Sequence, residues 1–160
     1  MRLSLYTDFA LRLLMYLAGQ PPEAWATTPE VARVFGISAH HLQKSAQGLV
    51  RAGFVQARQG RSGGLRLAKP VGEIRLGAVV AELEGSGCLI DCERGPCPLA
   101  GHCALKHAID NAERSFLREL DRFTLADVTA GRTGDAVRSL SSRASGLLAA
   151  EMPPPMPAVQ

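Results

Sequence analysis

Four cysteines fall within sixteen residues of this 160-residue chain, at Cys88, Cys92, Cys97 and Cys103. The segment between them is rich in glycine and proline, so we expect an irregular loop whose backbone can wrap around a bound group. Zinc ribbons and fingers usually carry two separate C-x2–4-C pairs, whereas the intervals here widen from three to five residues along one loop. Thiolates are the usual ligands of iron–sulfur clusters. The spacing therefore favours one such cluster, with zinc binding and a thiol redox switch as alternatives.

The composition predicts one compact domain with an appendage, because 46% of the residues are hydrophobic and 21% are charged. The first residues include Asp8 and lack the long apolar core of a signal peptide. No apolar run approaches the roughly 20 residues that a membrane span needs. We therefore expect a cytoplasmic protein without a membrane partner. In that reducing compartment, clustered cysteines more often bind metal or act in redox chemistry than form a disulfide framework.

The charge is distributed unevenly along the chain. Residues 1–70 hold nine Lys and Arg against three Asp and Glu, whereas residues 71–160 hold nine against twelve. The first part thus carries a charge of +6 and the second −3. This distribution is expected when only one part of a protein touches nucleic acid.

Three helices are predicted before residue 53. Apolar residues at helical spacing indicate the first over about 2–19. Thr27 or Thr28 can cap the second, and Ser38 can cap the third, which follows a four-residue turn. Two short helices joined by such a turn have the length and turn chemistry of a helix-turn-helix.

The third helix has one apolar face and one polar face. The apolar face is predicted to point inward and comprises Leu42, Ala46, Leu49 and Val50. The polar face could be a merely solvated surface, but its cationic and hydrogen-bonding side chains also suit a recognition helix. On that interpretation the DNA-contacting residues of this helix and its cap are Ser38, His40, His41, Gln43, Lys44, Gln47 and Arg51.

A β-hairpin is predicted directly after this helix, with strands over residues 54–58 and 65–69 and a glycine-rich turn between them. A hairpin in this place is a wing. Arginine suits the narrow, negative minor groove, and glycine lets the backbone approach a phosphate. The predicted DNA contacts of the wing are Arg58, Arg61, Ser62 and Gly63.

The remainder of the chain is predicted to be mostly helical. A short helix follows the wing and ends at Gly85, and a long helix begins at about residue 104. Its apolar residues recur at steps of three and four and form a face longer than the small domain can cover, which favours a coiled-coil-like homodimer. These residues are Leu105, Ile109, Ala112, Phe116, Leu120 and Phe123. A short helix near 135–149 and a disordered, proline-rich tail from about 151 complete the prediction.

The expected fold class is thus mainly α with a small β-hairpin wing, that is, a winged helix-turn-helix plus a long dimerisation helix. We place a DNA-binding domain at 1–84, a cluster-binding loop at 85–103, a dimerisation segment at 104–130 and a C-terminal extension at 131–160. No nucleophile–base constellation or phosphate-binding glycine loop indicates an enzyme.

Several stretches together resemble a known family. Residues 5–12 (LYTDFALR), residues 61–68 (RSGGLRLA), the cysteine loop and residues 123–127 (FTLAD) are similar to the NsrR-type nitric-oxide-sensing repressors. These are winged-helix iron–sulfur regulators related to the IscR type, and the similarity covers roughly residues 1–130. It implies a homodimeric repressor of double-stranded operator DNA with nitric oxide as its signal. A regulator that responds to cluster supply, iron or redox state is the alternative.

The resemblance also implies a ligand set. Three family cysteines bind the cluster, and their pattern falls on Cys92, Cys97 and Cys103, which leaves Cys88 over. A 4Fe–4S cluster is favoured, with 2Fe–2S as the alternative. In some members an aspartate of the first helix is the fourth ligand, donated across the dimer, and Asp8 sits at the matching place.

Other groups compete for that fourth position. Cys88, His102 and His107 are alternatives to Asp8. In IscR-type relatives two residues separate the third cysteine from a ligating histidine, whereas three separate Cys103 from His107, which argues against that type. Asp8 also lies four residues before Arg12, a spacing that favours an ion pair within the helix.

Overall fold

The computed structural model describes residues 2–60, 63–85, 89–90, 92, 95 and 97–151, with the backbone alone for 143–151. This part of the chain contains seven α-helices and one two-stranded antiparallel hairpin. The predicted fold class is confirmed. None of the described helices is long and apolar enough to cross a membrane. The elements are α1 (Leu5–Ala18), α2 (Thr28–Phe35), α3 (Ala39–Arg51), β1 (Val55–Arg58), β2 (Gly64–Leu67), α4 (Leu76–Glu84), α5 (Ala104–Leu120), α6 (Leu125–Val128) and α7 (Gly131–Glu151).

Helix α1 is the centre of the hydrophobic core. It is shorter at both ends than the 2–19 predicted. Ser4 caps its first turn by accepting a hydrogen bond from the Thr7 amide, and Gly19 is its C-cap. Leu13, Leu14 and Tyr16 are fully buried. The helix packs against α2, α3, α4, α6, α7 and β2.

Helices α2 and α3 form the predicted helix-turn-helix. Thr27 caps α2 in a capping box with Glu30, which decides between the two candidate threonines. Gly36 ends α2 in the left-handed region at φ +62°, where glycine carries no Cβ penalty. Ser38 occupies the N-cap position of α3, but the predicted capping role is wrong, because its side chain makes no capping hydrogen bond.

Helix α3 lies very close to α1. The buried Ser45 hydroxyl donates to the Tyr6 carbonyl oxygen over 2.9 Å. A Cβ at Gly48 would overlap the Tyr6 phenol, so a larger residue there would displace that ring. Helix α3 thus packs closely against α1.

The hairpin pairs Val55 with Leu67 and Arg58 with Gly64. The second strand thus begins at Gly64 and ends at Leu67, before the predicted residue 69. The Ala68 amide still donates to the Phe54 carbonyl in the same register, and the chain then bends at Ala68 and Lys69. A third segment joins the hairpin, since Ala26 exchanges two backbone hydrogen bonds with Leu65, of 3.0 and 2.8 Å.

Helices α4 and α5 meet at a glycine. A Cβ at Gly77 would overlap the Leu117 carbonyl and lie 2.7 Å from the Asp121 Cβ. Backbone hydrogen bonds from Leu76 to Phe123 and from Leu125 to Ile74 fasten the same end of α5 to the start of α4. The C-terminal end of α5 is thus firmly attached to the core.

Helix α7 begins at Gly131, four residues before the predicted start, and runs to Glu151. It packs on α1 and α2, where Val137 is buried and lies against Gly19. Burial of this face supplies the stability that its glycine- and serine-rich sequence lacks. The predicted tail, apart from its first residue, lies outside the described residues.

Candidate DNA-binding face and cysteine loop

A groove of about 700 Å³ lies between the start of α2, one face of α3 and the wing. Of the predicted DNA contacts, Gln43, Gln47, Arg51, Arg58 and Gly63 line it. The structure thus brings together side chains that the sequence places on two separate elements. Ser38, His40, His41 and Lys44 are exposed on and just before α3 but do not line this groove.

The surface of α3 is cationic and open. His40, His41, Lys44, Gln47 and Arg51 are all exposed, and the helix sequence contains no acidic residue. On the opposite side Leu42, Ala46 and Leu49 are buried and Val50 is half-buried, as predicted. An apolar inner face with a positive outer face is the arrangement expected of a recognition helix.

The side chain of Gln43 is held from the neighbouring helix. The Thr28 hydroxyl donates to Gln43 Oε1 over 2.8 Å. This bond uses the amide oxygen and leaves the two N–H donors of the amide for another acceptor. Thr28 is a residue of the groove that the sequence analysis did not identify.

The wing holds its cations against an aromatic ring. Cζ of Arg58 lies 4.5 Å and Cζ of Arg66 lies 4.6 Å from the centroid of the half-buried Trp25 ring. Gly63 donates its backbone N–H to the Gly60 carbonyl over 2.9 Å, so this amide is already used within the turn. Arg61 and Ser62, two predicted DNA contacts, lie outside the described residues.

The described cysteines occupy the predicted loop. Cys92, Cys97 and Cys103 are half-buried, and none of these three forms a disulfide. Cys103 is the N-cap of α5, and its Sγ accepts a hydrogen bond from the Lys106 amide over 3.4 Å. The sulfur thus accepts a backbone hydrogen bond at the start of α5.

The predicted ligands are not assembled into a metal site. Among the described residues, no three His, Cys, Asp or Glu side chains are arranged to hold a metal ion together. His102 and His107 are exposed, and Cys88 lies outside the described residues. The sequence thus identifies donors that the structure leaves apart.

Asp8 lies in the first turn of α1 and forms the ion pair expected from its spacing. Its carboxylate is 2.9 Å from Nη2 of Arg12, and Nε of Arg12 donates to both oxygens over 3.1 Å. The Asp8 side chain is still 38% exposed. A ligand role for Asp8 would require this carboxylate to be shared between Arg12 and a metal.

Helix α5 presents an uncovered apolar face. No residue of Ala104–Leu120, all of them described, is buried. Leu105 at the start of this face is 63% exposed, and Phe123 at its end is 45% exposed. Ile109, Phe116 and Leu120 along the same face are half-buried, and an apolar face so incompletely covered is typical of an interface with a second copy.

The family model for Rrf2, described as an iron-dependent transcriptional regulator, matches residues 3–131. This chain belongs to the Rrf2 family. Solved structures with the same fold include CymR, the global cysteine regulator of B. subtilis (22% identity over 81% of this chain and 97% of that one, TM-score 0.64) and T. potens IscR (24% identity over 80% and 85%, TM-score 0.63). The oxidized form of Staphylococcus aureus CymR is also similar (24% identity over 82% and 98%, TM-score 0.64).

Membership in the Rrf2 family confirms that the chain is a DNA-binding transcriptional regulator and not an enzyme. The Rrf2 family binds DNA and forms dimers, in agreement with the groove and with the open face of α5. The identities to the solved structures are below 25% and show the fold alone. Helix α7 lies almost wholly beyond the residues that the Rrf2 model matches.

Proposed function

We propose that this Rrf2 protein is a repressor whose affinity for its operator is controlled by an iron–sulfur cluster that reacts with nitric oxide. The observation that carries the proposal is the C-x4-C-x5-C series at Cys92, Cys97 and Cys103, in a loop that leads directly into α5. The chemistry of three thiols fits a cluster, since soft thiolates are its usual ligands. When bound, the cluster supplies irons that react with nitric oxide.

Cys92, Cys97 and Cys103 would hold the cluster, and its binding would be coupled to local folding. Cys103 connects the cluster to α5 through its N-cap position. The partner's Asp8 would supply the fourth ligand, since this carboxylate is 38% exposed in its own chain. Cys88, His102 and His107 are the alternatives. Arg12 would then orient the ligating carboxylate, as second-shell donors do in other metal sites.

The DNA contacts proposed are of two kinds. Gln43, Gln47 and Arg51 read base edges from the groove, and His40, His41 and Lys44 lie beside them on α3. Arg58 contacts the backbone or minor groove beside α3, and Arg61, Ser62 and Gly63 continue this contact along the wing. A dimer places two such faces on two half-sites about one helical turn apart.

A continuous series of contacts connects the loop with α3. Helix α5 packs on α4, α4 packs on α1, and α1 packs on α3 through Tyr6, Ser45 and Gly48. Release of Cys103 and of the bridging Asp8 would change the position of these helices relative to the partner. A coupling of about 1–3 kcal/mol between the two sites changes operator affinity about 5- to 150-fold.

The test compares cluster and operator binding before and after nitric oxide, using anaerobically purified protein and a duplex selected from a random-sequence library. Cys97→Ser should lose the cluster absorption and the response to nitric oxide, because a hydroxyl is a poor substitute for a thiolate ligand. Cys88→Ser is the matched control and should keep both when Asp8 is the fourth ligand; loss of the cluster in Cys88→Ser would assign that position to Cys88 instead. Unchanged absorption and iron content in Cys97→Ser, or equal duplex affinity of loaded and cluster-free wild type, would contradict the proposal.

A thiol switch without metal is the second candidate, favoured by the similarity to CymR, which has been solved in an oxidized form. The described cysteines are half-buried and outside any disulfide, so an oxidant could reach them. On this alternative, iron-free protein would bind the duplex fully, and a thiol reductant would reverse the effect of an oxidant. The cluster proposal predicts different duplex affinities for loaded and iron-free protein, whereas the thiol switch predicts full binding by iron-free protein. One preparation therefore distinguishes the two candidates.

A further inference from the structure

An aromatic ring lies against the wing and contacts two of its arginines. The predicted DNA contacts do not include this ring. Trp25 lies in the loop between α1 and α2, and both Arg58 and Arg66 place their guanidinium groups over its ring, 4.5 and 4.6 Å from the centroid. The ring attracts a guanidinium through its aromatic face, and this contact does not use the N–H donors of the guanidinium. A guanidinium held in this way can still bind a phosphate.

The two arginines are fixed differently. Nε of Arg66 donates to Gln56 across the hairpin over 3.0 Å, and its Nη1 lies 3.5 Å from Glu23. Arg66 is thus held by Gln56 of the neighbouring strand and by Glu23. Arg58, at the end of β1, is the arginine of this pair that also lines the groove beside α3. The contact with Trp25 therefore fixes the position of the Arg58 guanidinium at the edge of the groove.

The backbone is built to bring Trp25 against the wing. Ala26 is bonded to Leu65 in both directions, and a Cβ at Gly64 would lie 2.9 Å from the Ala26 carbonyl and 3.1 Å from the Trp25 Cβ. Any larger residue at 64 would push this loop away. The close approach of the loop thus depends on glycine in the strand.

The ring also gathers two like charges. Both guanidinium groups share one indole ring, so two positive charges lie close together on this side of the wing. Such a concentration of positive charge favours binding of an anion such as a phosphate.

We propose that Trp25 is a positioning residue for DNA binding, which holds Arg58 at the edge of the α3 groove for contact with the DNA backbone. This role rests on the DNA-binding function of the chain. A positioning role differs from a merely structural one, because Trp25 then acts only through Arg58. The two roles predict different results when both residues are replaced.

The test is a double-mutant cycle with full-length protein and the selected duplex. Trp25→Leu should weaken binding about three- to tenfold, as expected from loss of a cation–π contact. Trp25→Phe, which keeps a ring, should lose less. Arg58→Gln should weaken binding and lower the slope of log K against log salt by about one, whereas Trp25→Leu leaves that slope unchanged because every cation remains. Trp25→Leu should cause no further loss in the Arg58→Gln background.

Two results would overturn the role of Trp25: equal affinity of Trp25→Leu and wild type, or the same fold-loss from Trp25→Leu with and without Arg58. Wild type provides a measurement free of folding defects, because Trp25 is the sole tryptophan of the chain. Its emission should change during titration with the same midpoint as duplex binding, and constant emission would also count against the proposal. Equal duplex affinity of cluster-loaded and cluster-free wild type would contradict the nitric-oxide function but not the role of Trp25. The double-mutant cycle compares all variants in the same cluster state.

Discussion

Replacement of Tyr16 by Phe should destabilise the protein, because the fully buried Tyr16 hydroxyl joins three helices. It donates to Glu30 Oε1 over 2.6 Å, and the Ser141 hydroxyl of α7 interacts with the same phenol oxygen. A hydrogen bond to a charged group contributes about 1.5–3 kcal/mol, and water can partly replace it at the half-buried Glu30. We therefore expect a loss of about 1–2 kcal/mol, or about 2–8 °C in Tm.

The pH dependence gives a second, independent test of the same bond. Burial raises the pKa of the Tyr16 phenol, and the hydrogen bond and charge of Glu30 raise it further. The stability that this group contributes is therefore complete below its ordinary pKa of 10.0 and is lost as the pH rises above it. Urea unfolding of wild type and Tyr16→Phe from neutral to alkaline pH should show two curves that converge above pH 10.

Tyr6→Phe is a matched control on the same helix, at a half-buried position. Because it keeps Tyr16, its stability curve should still converge with that of Tyr16→Phe above pH 10, as the wild-type curve does. The reasoning would be refuted if Tyr16→Phe unfolded at the wild-type urea concentration at neutral pH. It would also be refuted if the difference between the two proteins were constant across the alkaline range.

Two further changes test how the remaining helices are joined. Gly77→Ala should cost about 1–3 kcal/mol by thermal unfolding despite its better helix propensity, because the new methyl group overlaps the Leu117 carbonyl; a rise in Tm would show that α4 and α5 can separate freely. For Glu84, burial alone would raise the pKa, but hydrogen bonds with Thr7 and Ser4 outweigh it and lower the pKa below 4.5. The stability that Glu84 contributes is thus present above pH 4.5 and lost below it, so wild type and Glu84→Gln should converge in acid, and parallel curves would contradict this assignment.

The faces of α3 could be predicted because they depend on local periodicity. Leu42, Ala46 and Leu49 repeat at helical spacing, and a buried stripe follows directly from it. Turn chemistry narrowed the start of α2 to Thr27 or Thr28 for the same reason, since a capping side chain acts on adjacent backbone.

Contacts between distant residues could not be predicted in this way. Trp25 precedes Arg58 by 33 positions and reaches it only because the loop before α2 returns to the wing. Likewise α7 packs on the core through Val137 against Gly19, a contact that no local pattern of a glycine- and serine-rich segment indicates. The spacing of the cysteines predicts which chemistry they suit, whereas their positions in space depend on how the loop folds.

The uneven attachment of α5 has a mechanical consequence. Its C-terminal end is fastened to α4 by the Leu76 and Leu125 backbone bonds, whereas Cys103 stands at the other end of a 17-residue helix about 25 Å long. The helix is thus a lever with its fulcrum near Phe123. A movement of about 3 Å at the sulfur end turns it by only about 7°, given that length. A displacement of the Cys103 sulfur is thereby converted into a small rotation of the helix end that lies next to the core.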